Sequence, residues 1–195
     1  MNEYNRRPMK IFLAGVSCVG KTAIGKCLAG KLNYPFFDQD IEIEKFFGQP
    51  IERLQEKFLT QSSFREHTAK ALKYITEQNE NHDYVVALRP SGLMDFYYRI
   101  LKKLRCTIIV LQDKPENILS RIVFFDKDSH PMVKQLSNDE KAYYLREIKK
   151  DIAYFGRTYK KAHLTVNISG LGIEKSAAKI IECLHDATWQ ENETT

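Results

Sequence analysis

The sequence predicts an α/β protein built on a five-stranded parallel sheet with helices on both faces. Three observations predict it. Five short apolar runs alternate with segments whose apolar residues recur at helical spacing. A glycine-containing turn joins the first run to the first helical segment. Charged residues follow directly on several runs, at the carboxyl edge where ligands of such sheets bind.

The elements follow in order. Lys10–Ala14 reads as a buried strand, and Ile24, Cys27, Leu28 and Leu32 mark the next helix. Tyr34–Phe37 is a second strand ending at Asp38. Residues 40–58 read as one or two helices broken near Gly48-Gln-Pro50. Ser63-Phe-Arg-Glu66 has the form of a capping box opening a helix with Phe64, Thr68, Ala71, Leu72 and Ile75 on one side. Tyr84–Leu88 is a third strand, 93–104 a helix, Cys106–Leu111 a fourth strand, and 117–125 a helix. Residues 126–137 hold charges and a proline without periodicity and read as a loop. Leu145, Ile148, Ile152 and Phe155 mark a long helix, His163–Ile168 a fifth strand, and Ile173, Ala177, Ile180 and Leu184 the last helix. The aromatic runs Phe96-Tyr97-Tyr98 and Tyr143-Tyr144 read as helix packing.

Composition bounds the function. The chain has 195 residues, 43% hydrophobic and 28% charged, which excludes a collagen, a coiled-coil rod and a wholly disordered chain. A chain of this size buries about 70% of its unfolded surface without staples. No apolar run approaches the ~18 residues of a membrane span. The polar start, Met1 to Pro8, lacks the apolar stretch of a signal peptide. Cys18, Cys27, Cys106 and Cys183 fit no zinc spacing and suit a reducing compartment, so the expected setting is the cytoplasm. Of the net charge of +5, an excess of four lies between Ile118 and Lys161, which carries ten Lys/Arg and six Asp/Glu. Such a stretch suits an anionic partner such as a nucleotide, or is simply a solvated helix face.

Gly15-Val-Ser-Cys-Val-Gly-Lys-Thr22 matches G-x-x-x-x-G-K-[ST] between a strand and an amphipathic helix. Glycines let successive N–H groups turn inward on phosphate, and the helix adds its positive end. Backbone from Ser17, Cys18, Val19, Gly20 and Ala23, the ammonium of Lys21 and the hydroxyl of Thr22 then form an ATP site with a magnesium position. This makes the fold a P-loop NTPase three-layer sandwich. Asp38 and Asp40 stand two residues apart at a strand end, 17 residues beyond Lys21. Asp38 is placed to join the magnesium shell, and Asp40 to accept a proton from, or orient, an attacking hydroxyl. Either carboxylate also suits the cap of the following helix.

From about Met9 to Leu184 the chain resembles the shikimate kinases. The marks are the P-loop, Phe36-Phe-Asp-Gln-Asp40 with Ile41-Glu-Ile-Glu44, Gly48-Gln-Pro-Ile51, Phe64-Arg-Glu66, and Gly156-Arg-Thr-Tyr159 before a strand. The resemblance implies that Asp38 is the metal-side aspartate and that Asp40 binds the acceptor hydroxyl. It implies that Arg65 and Arg157 clamp the acceptor carboxylate, as guanidinium forks suit planar carboxylates. It implies a substrate-binding subdomain at 41–80 and a lid at 126–137 within one kinase domain, read here as 9–187; residues 1–8 read as a disordered tail and 188–195 as a polar tail.

Two departures stand out. Where the family has three glycines after the third strand, this chain has Arg89-Pro90-Ser91 before Gly92. Proline offers no N–H and arginine resists positive φ, so the loop must take another shape. Arg89 and Ser91 then become candidate acceptor contacts. Where the lid has an Arg-Pro pair, this chain has His130-Pro131, only partly charged at neutral pH; Lys127, Lys134 or Arg121 are possible substitutes, Arg121 otherwise stacking on adenine. The expected function is ATP- and magnesium-dependent phosphorylation of shikimate or a related hydroxy acid by a monomer without nucleic-acid or membrane partners. A gluconate-like or phosphorylated acceptor, and a nucleotide-binding regulator without catalysis, are the alternatives.

Overall fold

The structure, a computed structural model, describes residues 9–128 and 130–192. Its elements are β1 (Lys10–Ala14), α1 (Lys21–Leu32), β2 (Phe36–Asp38), α2 (Gln39–Phe47), α3 (Ile51–Gln55), α4 (Gln61–Gln78), β3 (Tyr84–Ala87) and α5 (Asp95–Leu101). They continue with β4 (Thr107–Gln112), α6 (Pro115–Leu119), β5 (Phe124–Phe125), β6 (Pro131–Met132), α7 (Asn138–Tyr159), β7 (Leu164–Asn167) and α8 (Ile173–Asn192). Five strands form one parallel sheet in the order β2-β3-β1-β4-β7.

The period-2 alternation of β1 divides the core into two layers. Ile11 and Leu13 face one side and pack with Ile24 and Leu28 of α1 and with Ala177 and Ile180 of α8. Phe12 and Ala14 face the other, with Leu72 of α4 and Tyr97 and Leu101 of α5. The sheet between these layers makes the three-layer sandwich. A third cluster of Ile43, Ile51, Leu54, Phe64 and Ala71 ties α2 and α3 to α4 and forms a unit beside the sheet.

Several local readings change. The helix α4 starts at Gln61, capped by Thr60, whose hydroxyl accepts from Ser63 N–H at 3.1 Å; Ser63-x-x-Glu66 lies inside the helix. Residues 117–125 are not one helix, since α6 stops at Leu119 and Phe124–Phe125 turns into β5. The loop read at 126–137 contains β6, which pairs antiparallel with β5 as a short hairpin. Its turn is held by Asp126, whose carboxylate accepts from the N–H groups of Asp128 and His130 at 2.8 and 2.9 Å. That turn reaches α3 through two ion pairs, Arg53 with Asp128 and Lys127 with Glu56. A capping box of Ser137 and Glu140 opens α7. On α7 only the Ile148 part of the expected apolar face is buried, and Ile152 is 37% exposed. A cavity of about 690 Å³ bounded by Val16, Val19, Leu111, Ile152, Tyr159 and Asn167 separates α7 from the sheet edge. Of the aromatic runs, Tyr97 is fully buried, whereas Tyr143 is half exposed. The helix α8 continues to Asn192, into the segment read as a polar tail, and residues 1–8 lie outside those described.

Candidate active site

The P-loop is shaped by three positive φ angles. Gly15 has φ 143° and Gly20 φ 110°, and Cys18, at φ 57°, adopts the left-handed region without being glycine. A Cβ on Gly15 would meet Leu111 O and Val19 Cγ1 at 2.9 Å, so the loop lies close against β4 and itself. Lys21 is buried at the start of α1, its ammonium donating to Gly15 O at 2.9 Å and Val16 O at 2.7 Å. Burial lowers its pKa to about 8, against the opposing charges of Asp40, Cys18 and Asp38. The loop, its lysine and the helix end fit a polyphosphate.

Across the loop, Thr22 donates its hydroxyl to Asp38 Oδ2 at 2.6 Å. Asp38 Oδ1 accepts from Asp40 N–H at 3.0 Å, so Asp38, not Asp40, caps α2. One hydroxyl and one carboxylate converging beside a phosphate cradle are the hard oxygen donors a magnesium ion takes.

Asp40 and Arg89 face each other, with Asp40 Oδ1 and Arg89 Nη1 3.0 Å apart. The pair lies off the hydrogen-bond direction, and neither of these buried atoms has another protein hydrogen-bond partner. The Asp40 side chain as a whole is half exposed, so its Oδ1 is the sunk part and the remainder opens to the cleft. Burial, with Asp38 and Glu44 nearby, holds the Asp40 pKa above the ordinary carboxylate range despite Arg89 and Lys21. Arg89 also lies over the Phe64 ring at 4.9 Å, and its N–H donates to Gln39 Oε1 at 2.9 Å.

The turn after β3 takes the altered shape its sequence demands. Arg89, Pro90 and Ser91 all avoid positive φ; in this segment it falls instead on Asp95, at 41°. Gly92 N–H donates to Arg89 O at 2.8 Å, and a Cβ on Gly92 would meet Leu88 Cβ at 2.6 Å. Ser91 serves the turn through its carbonyl, which accepts from Met94 N–H at 2.9 Å. Tyr159 donates from its hydroxyl to Pro90 O at 3.0 Å, fastening the end of α7 to this turn.

Arg65 does not stand alone. Its Nε donates to Asp95 Oδ2 at 3.0 Å, and its Nη2 forms an ion pair with the same oxygen at 2.8 Å. Tyr97 feels both charge pairs, and its hydroxyl shares a 2.5 Å hydrogen bond with Thr68. Burial raises its pKa, while Arg89 and Arg65 act to lower it. Lys21, Asp38, Asp40, Arg89 and Arg65 therefore belong to one cleft.

The other sequence candidates sit farther out. Arg121 donates to Val19 O at 3.1 Å and to Asp113 Oδ2 at 2.5 Å, at the flank of the P-loop. Ser17 is exposed there, and its hydroxyl lies 3.7 Å from Cys18 Sγ. His130 is exposed and bound to Asp126 within its own hairpin turn, rather than to the P-loop. Arg157 is exposed on the last turn of α7 and has no hydrogen bond or ion pair among the described residues.

Sequence reasoning missed three residues of this region. Asp113 collects Arg121, Asn117 Nδ2 at 2.6 Å, Ser169 Oγ at 2.9 Å and Lys114 N–H at 2.7 Å. Burial alone would raise its pKa, but these donors hold it below the ordinary range. Its position between a strand end and Lys114-Pro115 was the available signal. Gln39 and Asp95 carried none, because their partners are distant in sequence.

The shikimate kinase family profile matches residues 17–185. A shikimate kinase of Flavobacterium psychrophilum is 28% identical over 179 residues, covering 90% of this chain and 96% of its own. One from Chlorobium phaeobacteroides is 30% identical, covering 87% of this chain and 90% of its own. Among solved structures, the shikimate kinase of Aquifex aeolicus superposes with a TM-score of 0.69 at 26% identity, over 92% of this chain and 98% of that one. That of Acinetobacter baumannii, in complex with shikimate, superposes with a TM-score of 0.69 at 23% identity, over 94% and 96%. Phosphate loop, paired aspartates, sheet order and a profile spanning most of the sequence agree, and the chain belongs to the shikimate kinase family.

Proposed function

We propose that the protein transfers the γ-phosphoryl group of ATP to a hydroxyl of shikimate or a closely related hydroxylated carboxylic acid. The observation that carries this reading is the chain from the P-loop through Thr22 and Asp38 to the N–H of Asp40, which sets the Asp40 carboxylate beside the phosphate cradle that holds Lys21. Asp40 accepts the acceptor's hydroxyl proton as that oxygen bonds to the γ-phosphorus and the bond to the β,γ-bridging oxygen breaks. A carboxylate with a raised pKa is the better base for this step. Lys21 leaves the Gly15 and Val16 carbonyls for the β- and γ-phosphate oxygens and offsets the charge developing there. N–H groups of residues 17–20, with Thr22 and Ala23, orient the phosphates. Thr22 and Asp38 would hold magnesium, which when bound neutralises phosphate charge.

Arg65 and Arg157 are assigned to the acceptor carboxylate, and Ser91 to the rim of the same pocket. Arg121, fixed by Asp113, is assigned to the adenine face, and the hairpin carrying His130 to the lid over 126–137, which keeps water from competing as acceptor. The subdomain at 41–80 carries the acceptor pocket, within a kinase domain spanning 9–187. The expected state is a cytoplasmic monomer acting on a small molecule.

The Arg89–Asp40 pair favours one second reading, an acceptor with a further anionic group, gluconate-like or phosphorylated. The test is ADP release against shikimate, gluconate, quinate and their phosphorylated counterparts, with native protein and with a Gly-Gly-Gly graft at 89–91. Native turnover of shikimate supports the first acceptor. Shikimate turnover only after the graft supports the second. ATP binding by calorimetry without turnover of any acid would place the protein among non-catalytic nucleotide binders.

A further inference from the structure

Arg65 meets Asp95 as an arginine meets a bound acid. Two nitrogens of its fork converge on one carboxylate oxygen at 3.0 and 2.8 Å. We propose that Asp95 determines acceptor specificity by holding, on Arg65, the place an acceptor's carboxylate takes, so that an acid must displace an internal carboxylate to bind. This rests on the reading of Arg65 as the carboxylate clamp.

Three observations carry it. The Arg65 side chain is 12% exposed and Asp95 42%, so the fold fixes the guanidinium and leaves the carboxylate as the partner able to leave. Asp95 makes the contact from φ 41°, a conformation side chains rarely adopt and surroundings must sustain. The neighbouring cation has the same arrangement, Arg89 facing Asp40. Arg89 and Asp95 bound the segment 89–95, which begins where the family has glycines. This one segment thus places a cation on the pocket's carboxylate and a carboxylate on its guanidinium. An acid entering gains less from Arg65 than it would from an unpaired guanidinium, and hydroxyl arrangement weighs more in recognition.

The test compares wild type, Asp95→Asn and Asp95→Gly, both residues tolerating positive φ. Titration calorimetry and initial rates use shikimate and its methyl ester as probes. The expected result is a two- to fivefold fall in shikimate Kd and KM, the order expected for freeing a partly exposed ion pair, with the ester unchanged and kcat within about twofold. Acid and ester shifting together, or an unchanged or weakened acid, overturns the proposal. Wild type that turns over shikimate beside variants without acid-selective gain sinks this inference and spares the acceptor assignment. Acid-selective binding gained by the variants of a protein that does not phosphorylate shikimate does the reverse. Binding of neither probe by any of the three proteins defeats both.

Discussion

Thr22 and Asp38 are joined by a 2.6 Å hydrogen bond that links the first turn of α1 to the cap of α2. One carboxylate therefore serves the nucleotide side through Oδ2 and the acceptor-side helix through Oδ1. On the proposed function, this single group would align the two substrates. Thr22→Val and Asp38→Asn should each raise the ATP KM and the magnesium requirement. The double variant should lose much less than the product of the single losses. A double-mutant cycle on kcat/KM measures the coupling, and additive losses would show the two groups working separately.

Lys21→Ala should lower kcat by about 10²–10³, the scale for removing one preorganised charge from a developing anion. Thermal stability should change little, because burial disfavours the ammonium and this offsets the loss of its hydrogen bonds to Gly15 and Val16. ADP release and a melting curve on the same sample check both halves.

The pH profile should be narrow. Above pH 8 the free protein loses the Lys21 proton, so kcat/KM for ATP should fall from there rather than near the ordinary 10.5. Bound phosphates favour the charged amine, so kcat should hold to higher pH than kcat/KM. On the acid side, the proposed base is ionised Asp40, whose pKa is raised, so the acid limb should lie above that of an ordinary aspartate. Arg89 lowers that pKa, and Arg89→Ala should move the acid limb to higher pH. A limb that stays in place would remove Asp40 from the proton transfer.

The same shift has a consequence for stability. A carboxylate with a raised folded pKa binds its proton more tightly in the folded state than in the unfolded one. The penalty for its charge is absent below the unfolded pKa and fully present above the folded one. At neutral pH Asp40→Asn should therefore abolish turnover without lowering the melting temperature. A marked drop would show that the Arg89 pairing outweighs burial.

Gly92→Ala tests the turn itself. Its Cβ would sit 2.6 Å from Leu88 Cβ and 3.0 Å from Arg89 O, in the turn directly after β3. Overpacking of this kind costs about 1–3 kcal/mol. Urea unfolding should show it, and the ion pair of Arg89 with Asp40 should loosen with it.

What the sequence disclosed was whatever lies close along the chain. The P-loop, the Asp38–Asp40 pair and the strand periodicities are local patterns, each with a local physical cause, and the structure contains them. Arg65–Asp95 and Arg89–Asp40 join residues 30 and 49 positions apart. Such pairs come from packing α4 and α2 beside one turn, and no spacing announces them. The β5–β6 hairpin escaped because two-residue strands are too short to show alternation. The cap of α4 was misplaced because Thr60 and Ser63 are equally good capping residues, and Phe58 packing on Phe64 places the chain so that Thr60 does the capping.

The hairpin turn and α3 meet through neighbouring residues of opposite sign, Lys127 on Glu56 and Asp128 on Arg53. Sliding either partner by one position would set like against like. The fastening therefore favours one alignment of the turn, and ions in solution compete with it directly. Dissolved salt therefore weakens the seating of the turn on α3, and, should the hairpin serve as the proposed lid, would set how often the cleft opens.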